Sequence, residues 1–557
     1  MRAVVPGWLR QYRREWLGAD AIAGLIIWSV VTPQCVAYAQ IAGLPPQAGL
    51  MAAPGAMIGY ALLGTSRSLV VSATSSTAAV SAAAIGTLAG GSASRVATLS
   101  AALALLTGVV LVGAGILRLG GVADLISKPV MTGFLFGLGL TIAMGQLPKV
   151  FGVPAGNGNF FAQLAHLIGH LGSTHAAALA VGAASIAVLF AFKRMAPALP
   201  GTLIVLAVAI VVSSLFHLSS HGVAVVGKLP SALPHLAFPS VGAHEFVNLL
   251  PAAFGVMLMT TEGLGVARAV ASRHAYSIDA SRELIAVGGG NVLAGLSQGF
   301  VQAGGSSQTA AADEAGGKTQ LASIVAAGLI LLTGAFLAPV FKNLPEATLG
   351  AIVVVAVTGF FRVDELRRFA RLRRSALVLS LVSLVGVLAL GVLPGLIVAV
   401  GLALMLVIYR LSRPSVGALA RDPESGAWGR CDRHPGWSET PGNLVVRSDG
   451  PLFYANTQHF KQRTLGLVAG AKPQPRTVVL DLAENGDLDI ETLDALGELR
   501  DELDRQGIEL RLVSARARAL KLLAAAGLAD EIRIDASLDA AVADSRRLAG
   551  AAARRHT

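Results

Sequence analysis

The chain has 557 residues, 54% of them hydrophobic and only 14% charged, with a mean hydropathy of +0.65. No soluble core can use that much apolar sequence, whereas a bilayer absorbs about 20 residues per helix, so a polytopic membrane protein is expected. The net charge of +11 does not point to nucleic acid, because membrane proteins concentrate Lys and Arg in cytoplasmic loops and become basic for that reason alone. From about Asp20 to Tyr409 one apolar run follows another, and from Arg413 onward acids and bases return at ordinary density, as in a soluble tail. Cys35 and Cys431 stand too far apart to suggest a disulfide framework or a metal-ligand spacing. Met1 to Arg14 is basic and Trp-bearing, but the apolar run after it is too long, and lacks the small-residue cleavage site, for a removable signal peptide.

In chain order, apolar segments lie near 20–41, 48–63, 69–88, 97–117, 124–146, 176–192, 200–217, 248–270, 282–298, 305–313, 319–341, 347–361, 375–391 and 394–411. Fourteen spans put both termini on one side. Loop charges agree with that count. Arg10, Arg13, Arg14, Arg67, Arg118, Lys128, Lys193, Arg194, Arg268, Arg273, Arg282, Lys318, the run Arg362 to Arg374, Arg410 and Arg413 share the side of the termini, as does Arg2. Only Arg95, Lys149, Lys228 and Lys342 fall on the other. The positive-inside rule then makes both termini cytoplasmic.

Two segments read poorly as plain spans. Leu69-Val-Val-Ser-Ala-Thr-Ser-Ser-Thr-Ala-Ala79 is polar and β-branched, and Ala303-Gly-Gly-Ser-Ser-Gln-Thr-Ala-Ala-Ala312 is small and polar. They resemble each other and occupy corresponding places in two seven-span halves. Paired, interrupted polar segments point to a transporter site at the interface of inverted repeats. The structural alternative is close helix packing by small residues. Glu262, in Met257-Leu-Met-Thr-Thr-Glu-Gly-Leu-Gly265, is the carboxylate placed near mid-depth of an apolar span, and an intramembrane acid is a functional candidate by default. Its structural alternative is a bond to Thr260, Thr261 or backbone.

Asp20-Ala-Ile-Ala-Gly-Leu followed by Thr32-Pro-Gln-Cys-Val-Ala-Tyr-Ala-Gln-Ile-Ala-Gly-Leu-Pro-Pro-Gln-Ala-Gly-Leu50 resembles the signature of the sulfate permease (SulP) family. Gly64-Thr-Ser-Arg67, Ser127-Lys-Pro-Val-Met-Thr-Gly-Phe134, Gln146-Leu-Pro, Glu283-Leu-Ile-Ala, Ser307-Gln-Thr-Ala310 and Gly316-Gly-Lys-Thr-Gln320 extend the resemblance in order. It implies fourteen spans as 7+7 inverted repeats, with uracil-permease-like core and gate domains, and an anion held between the half-helix N-termini of the third and tenth spans. Those N-termini present unpaired N–H groups and partial positive charge, which suits an anion without metal or cofactor.

By that resemblance the anion site comprises Gln34 and Tyr38, one turn apart after Pro33; Ala73, Thr74 and Ser75; and Ser306, Ser307, Gln308 and Thr309. Gln34 has the alternative of capping backbone freed by Pro33, and the small polar residues that of packing. Family members often carry Arg where Gln308 stands, which weakens the case for a divalent anion and leaves a monovalent one open. Many have Gly-Pro near Ala73. Family members also carry an acid at Glu262, implicated in proton or sodium coupling. Asp313 and Glu314 read as loop or gating charges at the cytoplasmic mouth, and Arg362 to Arg374 as an inside-positive anchor touching anionic lipid or the tail.

In the tail, strands near Leu444, Thr477–Leu482 and Ile508–Val513 alternate with helices, which predicts a small α/β layer. Its order resembles a STAS domain, related to anti-sigma-factor antagonists. Asp489 is followed by Ile490 rather than a phosphorylatable Ser, so an assembly or regulatory module is expected. The expected organisation is a transmembrane anion-transport domain over 1–411, a linker over 412–442 and a STAS domain over 443–550. Ser/His/Asp triads, metal motifs and phosphate-cradling loops are missing; Gly288-Gly-Gly290 lacks a nucleotide-site context, so catalysis is not expected.

The expected function is secondary active transport of a small anion (sulfate, bicarbonate or a carboxylate) by alternating access, as a proton- or sodium-coupled symport, with Glu262 as coupling residue. An exchanger, a channel-like pathway, a nucleobase permease and a membrane sensor signalling through the tail are the rivals. The partners expected are the anion, the coupling ion, membrane lipid and a second copy of the chain. Short loops and compact length suggest a bacterial inner membrane.

Overall fold

The computed structural model of the protein describes residues 6–86, 88–90, 92–119, 127–196, 199–227, 234–438 and 440–544, without the side chains of Leu258, Thr261, Ala338 and Leu393. Arg2, Lys228, the 124–126 start of the fifth span, the Thr261 side chain and 545–550 of the tail domain lie outside the described residues. The chain divides into two compact units, Met1–Ala403 and Leu404–Thr557.

The first unit is helical: α1 (Leu17–Ile41), α2 (Gln47–Leu63), a short strand β1 (Val71–Ser72), α3 (Ser75–Gly86), α4 (Ala93–Ile116), α5 (Lys128–Phe151), α6 (Ala176–Met195), α7 (Gly201–Leu215), α8 (Ala243–Arg273) and α9 (Ala280–Leu296). The second strand, β2 (Ala303–Gly304), leads into α10 (Ser306–Glu314), α11 (Leu321–Leu332), α12 (Glu346–Val357), α13 (Val363–Leu372), α14 (Arg374–Leu390) and α15 (Val392–Leu411), the last crossing the unit boundary. Seven helices are long and apolar enough to cross a membrane, and five shorter apolar helices accompany them among the described residues. The basic run expected as an anchor forms α13, with Arg367 and Arg368 exposed and Phe369 buried.

These helices pack as two groups. One comprises α1 to α4 and α8 to α11, knit by α9 against α2 and α4 and by α11 against α1 and α2. The other joins α5, α6, α12 and α14, with α7 on α6. Glycines set the approach distances in the first group. A Cβ on Gly108 would lie 2.7 Å from the Gly288 carbonyl, and one on Gly59 would lie 2.9 Å from Gly290 Cα. Gly288-Gly-Gly290 is therefore a packing surface of α9, where close backbone approach replaces the hydrophobic drive that lipid does not supply.

Two buried carboxylates tie the loops of this group. Glu283 accepts from Tyr60 Oη (2.5 Å), Thr65 N (2.7 Å), Thr65 Oγ1 (2.6 Å) and Ser66 N (3.0 Å). Asp20 accepts from Lys318 N (2.7 Å), Thr319 N (3.0 Å) and Thr319 Oγ1 (2.6 Å). Four of the sequence motifs thus form two hydrogen-bonded clasps.

The second unit is a six-stranded sheet, β4-β3-β5-β6-β7-β8, of β3 (Val416–Arg421), β4 (Trp428–Arg430), β5 (Asn443–Ser448), β6 (Thr477–Asp481), β7 (Glu509–Val513) and β8 (Arg533–Asp535). The strands β5 to β8 are parallel, and β3 pairs antiparallel with β5 and β4. Helices α16 (Thr457–Gly470), α17 (Ile490–Asp504) and α18 (Ala517–Ala525) connect them, over a core that includes Val446, Val478, Leu480, Leu499, Leu512 and Leu523. The stretch 412–442, expected as a linker, instead supplies β3 and β4. Val416-Gly-Ala-Leu-Ala-Arg421 has one β-branched residue and so gives a weak strand signal; its partner β5, not propensity, makes it a strand. Asp489 is the N-cap of α17: Oδ1 accepts from Thr492 N (2.9 Å) and Oδ2 from Tyr454 N (2.6 Å). Despite partial burial, which opposes it, these bonds hold the Asp489 carboxyl below its ordinary range.

On α8, a Cβ on Gly263 would meet Gly304 Cα at 2.9 Å, whereas one on Gly265 would meet nothing within 4 Å. Gly263→Ala is expected to cost about 1–3 kcal/mol through overpacking and to lower thermal stability in detergent. Gly265→Ala, in the same helix, should leave it unchanged or slightly raised; scanning fluorimetry of the two variants side by side checks both.

Candidate substrate site

The strands β1 and β2 cross antiparallel, pairing Val71 with Gly304 and Ser72 with Ala303. Each runs into a short helix, so the N-termini of α3 and α10 begin at one place. Thr74 caps α3: its Oγ1 accepts from Thr77 N (3.3 Å) and lies 3.1 Å from Ser76 Oγ. Gly305 precedes α10 without a side-chain cap, leaving the first-turn N–H groups for another acceptor.

Beside this crossing lies a cavity of about 380 Å³ between the two helix groups. From the first group it is lined by Gln34, Tyr38, Thr74, Ser75, Ser76, Met259, Glu262 and residues 303–308. From the other come Leu189, Phe192 and Lys193 of α6, Thr202 of α7, and Ile352, Val355, Phe360 and Arg362 at and beyond the end of α12. At roughly 30 Å³ per water, the space holds an anion together with part of its hydration.

Of the residues expected at the site, Gln34, Tyr38, Thr74, Ser75, Ser306, Ser307, Gln308 and Glu262 meet in this cavity. Ser306 and Ser307 are open to it, while Gln34, Tyr38 and Gln308 are nearly buried. Gln308 Nε2 donates to Gln34 Oε1 (2.5 Å) and to the Ala73 carbonyl (3.4 Å), and Ser307 Oγ donates to Gln308 Oε1 (3.2 Å). Gln34 thus joins α1 to α10 through Gln308. The Tyr38 phenol lies against Ser75.

Ala73 and Thr309 do not line the cavity. Ala73 offers its carbonyl to Gln308, and Thr309 Oγ1 accepts from Val70 N (3.1 Å) while donating to the Gly305 carbonyl (2.6 Å). Thr309 is a strut of the crossing. Glu262 sits one residue before Gly263, which touches Gly304, so the carboxylate is held beside the strand pair. Thr260 Oγ1 donates to the Met257 carbonyl of its own helix (2.6 Å). Asp313 accepts from Arg273 Nη1 (2.7 Å) and His274 Nε2 (2.5 Å), clamping the end of α10 to the end of α8.

Lys193 and Arg362 read as loop charges in the sequence, yet they line the same cavity as Glu262. The cue for them is position: Lys193 directly follows the sixth span and Arg362 the twelfth. Among the described residues no cluster of His, Cys, Asp and Glu could hold a metal.

A polytopic bundle with two half-helices meeting at an internal cavity, followed by a parallel-sheet tail domain, defines the class as a helical membrane transporter with a C-terminal STAS domain. The sulfate permease family matches residues 17–383, and the STAS domain matches 435–541. A probable sulfate transporter of Mycobacterium tuberculosis is 37% identical over 527 residues, 94% of each chain. The chloroplastic sulfate transporter 4.1 of Arabidopsis thaliana is 27% identical over 544 residues, 94% of this chain and 79% of its own. The chain belongs to the sulfate permease family and is an anion transporter. Among solved structures, the murine Solute Carrier 26 family member A9 anion transporter in the inward-facing state shares the fold at a TM-score of 0.90, with 23% identity over 98% of this chain and 94% of that one. The transmembrane domain of a cyanobacterium bicarbonate transporter, BicA, shares it at 0.61, with 22% identity, covering 70% of this chain and 99% of that one.

The geometry separates lining from support. Thr309→Val orphans the buried Val70 N–H and should cost about 1–3 kcal/mol, seen as a lower melting temperature in detergent. Ser307→Ala should leave that temperature unchanged but raise the anion KM several-fold, read by radiolabelled uptake into proteoliposomes.

Proposed function

We propose that the chain is a secondary active transporter that moves a small anion by proton-coupled symport through alternating access. The anion sits between residues 73–76 and 306–309, under Gln34 and Tyr38, and Glu262 carries the proton. One observation supports this reading above the rest: a cavity in which two helix N-termini converge beside a membrane-embedded carboxylate. Sulfate, named for the relatives above, is the first anion to test; bicarbonate and monovalent anions follow, since Gln308 brings no formal charge.

In this reading the helices form fourteen spans in two inverted repeats of seven, α13 lying outside the count. Both termini are cytoplasmic in a bacterial inner membrane. The cavity's Lys193 and Arg362 end then faces the cytoplasm, which is an inward-open arrangement. The transmembrane domain spans 1–411 and the STAS domain begins at β3, leaving 412–415 as the connection. A homodimer contacting membrane lipid, with the STAS domain as its regulatory part, completes the proposal.

The test is uptake of labelled sulfate, bicarbonate and chloride into proteoliposomes with an imposed inward proton gradient. One anion should accumulate only with the gradient, and Glu262→Gln should lose accumulation while keeping anion binding. Uptake indifferent to both the gradient and the substitution would replace symport with exchange or a channel-like pathway.

A further inference from the structure

The charged residues lining the cavity are Lys193, Glu262 and Arg362 among the described residues. Their placement is lopsided. The group carrying the two half-helices contributes neutral donors and the Glu262 carboxylate. Both cations come from the other group, at the last turn of α6 and just beyond α12. Helix N-termini supply only about half a charge each, and Glu262, when ionised, opposes an anion.

Both cations are solvent-exposed and sit close together in the fold. Lys193 Nζ donates to Thr358 Oγ1 (3.3 Å), on the turn that leads to Arg362, and the Arg362 guanidinium acts electrostatically on Glu262. The rest of the lining from the group that carries these cations is mainly apolar, with Leu189, Phe192, Ile352 and Val355 beside Thr202. A charge at the wet mouth of a low-dielectric funnel raises the local concentration of counter-ions. We infer that Lys193 and Arg362 are specificity-determining residues that draw the anion in, and favour higher anion charge, on the one face of the membrane to which this cavity opens.

The restriction to one face follows from the two groups. The anion's polar contacts belong to one group and the cations to the other, so moving the groups past each other separates site and cations. This rests on the transport reading above. Because Coulomb energy scales with ligand charge, a loss of about three-fold in affinity for a monoanion becomes about nine-fold for a dianion. The exposed position makes the effect salt-dependent.

The experiment uses the full chain reconstituted in one orientation, with labelled sulfate and chloride presented to each face in turn. The double variant Lys193→Gln/Arg362→Gln should raise KM at the mouth face about ten-fold for sulfate and about three-fold for chloride. It should leave KM at the opposite face and the limiting rate unchanged, and should flatten the salt dependence. Lys193→Arg should retain the parent values. Equal KM changes at both faces, equal factors for the two anions, or no change at either face would overturn the inference. Should the parent protein move neither anion, equilibrium sulfate binding in detergent decides this inference, and the transport reading fails only if bicarbonate is not moved either. The double variant must then weaken binding, and unaltered binding overturns the assignment.

Discussion

Everything at the site depends on how unpaired backbone is satisfied inside the bilayer. Two chain segments leave helical geometry at membrane depth, and each exposed N–H or C=O there would cost several kcal/mol in lipid. The ladder between β1 and β2 answers part of that demand, and Gly305 N donating to the Val70 carbonyl (3.0 Å) extends it. Side chains complete it. Asn291 takes both backbone groups of Gln302 (2.9 Å each), Gln320 Nε2 reaches the Ser66 and Leu69 carbonyls (3.0 and 2.9 Å), and Thr309 meets Val70. With those groups satisfied, the first turn of α10, which has no side-chain cap, begins at the cavity with N–H groups free for another acceptor.

That arrangement determines which features are legible in the sequence. The broken segments stand out because Ser, Thr and Gly replace the apolar pattern there. Glu262 stands out because a carboxylate in an apolar span is costly to bury and so is rarely present without a task. The clasps at Asp20 and Glu283 show in the sequence only as motif residues without a partner, since they bond loops 298 and 218 residues away and spacing along the chain carries no trace of that. Thr309 groups with its neighbours because a hydroxyl that serves the backbone and one that faces a ligand look identical in sequence. Lys193 and Arg362 are hidden by a sound rule: basic residues at span ends are ordinarily anchors. In the tail, β3 escapes sequence reading because Gly and Ala strands take their state from their partners.

The electrostatics of the cavity follow from the same constraint. Gln308 commits its amide to Gln34 and Ala73, so this side chain bridges α1 to α10 instead of presenting a formal charge to the anion. Recognition by hydroxyls, amides and helix ends matches an ion that keeps some of its water, as a 380 Å³ cavity permits. An anion held in the proposed way would bind weakly enough to leave again, which a transporter requires and a storage protein does not.

The packing also says what can move. Asp20, Glu283, Asn291, Gln308 and Gln320 all bond within the group that carries the half-helices, and Ser185 bonds Thr348 (3.2 Å) within the other. Where the groups face each other across the cavity, the second group presents the apolar Leu189, Phe192, Ile352 and Val355, and apolar contacts slide without leaving an unmet donor. Lys149 Nζ donating to Gln40 Oε1 (2.9 Å) does join the two groups. It lies near the end of α5 remote from Lys128, which bonds Glu365 (2.7 Å) close to Arg362, so it is about 30 Å along the helix from the cavity mouth. A polar tie at one end and an open, charged cavity at the other is the arrangement that the proposed alternating access needs, since one group would pivot past the other at the cost of few hydrogen bonds. In the proposed alternating access, two hydrogen-bonded units that meet through apolar side chains would carry the half-helix site across the membrane with its geometry kept.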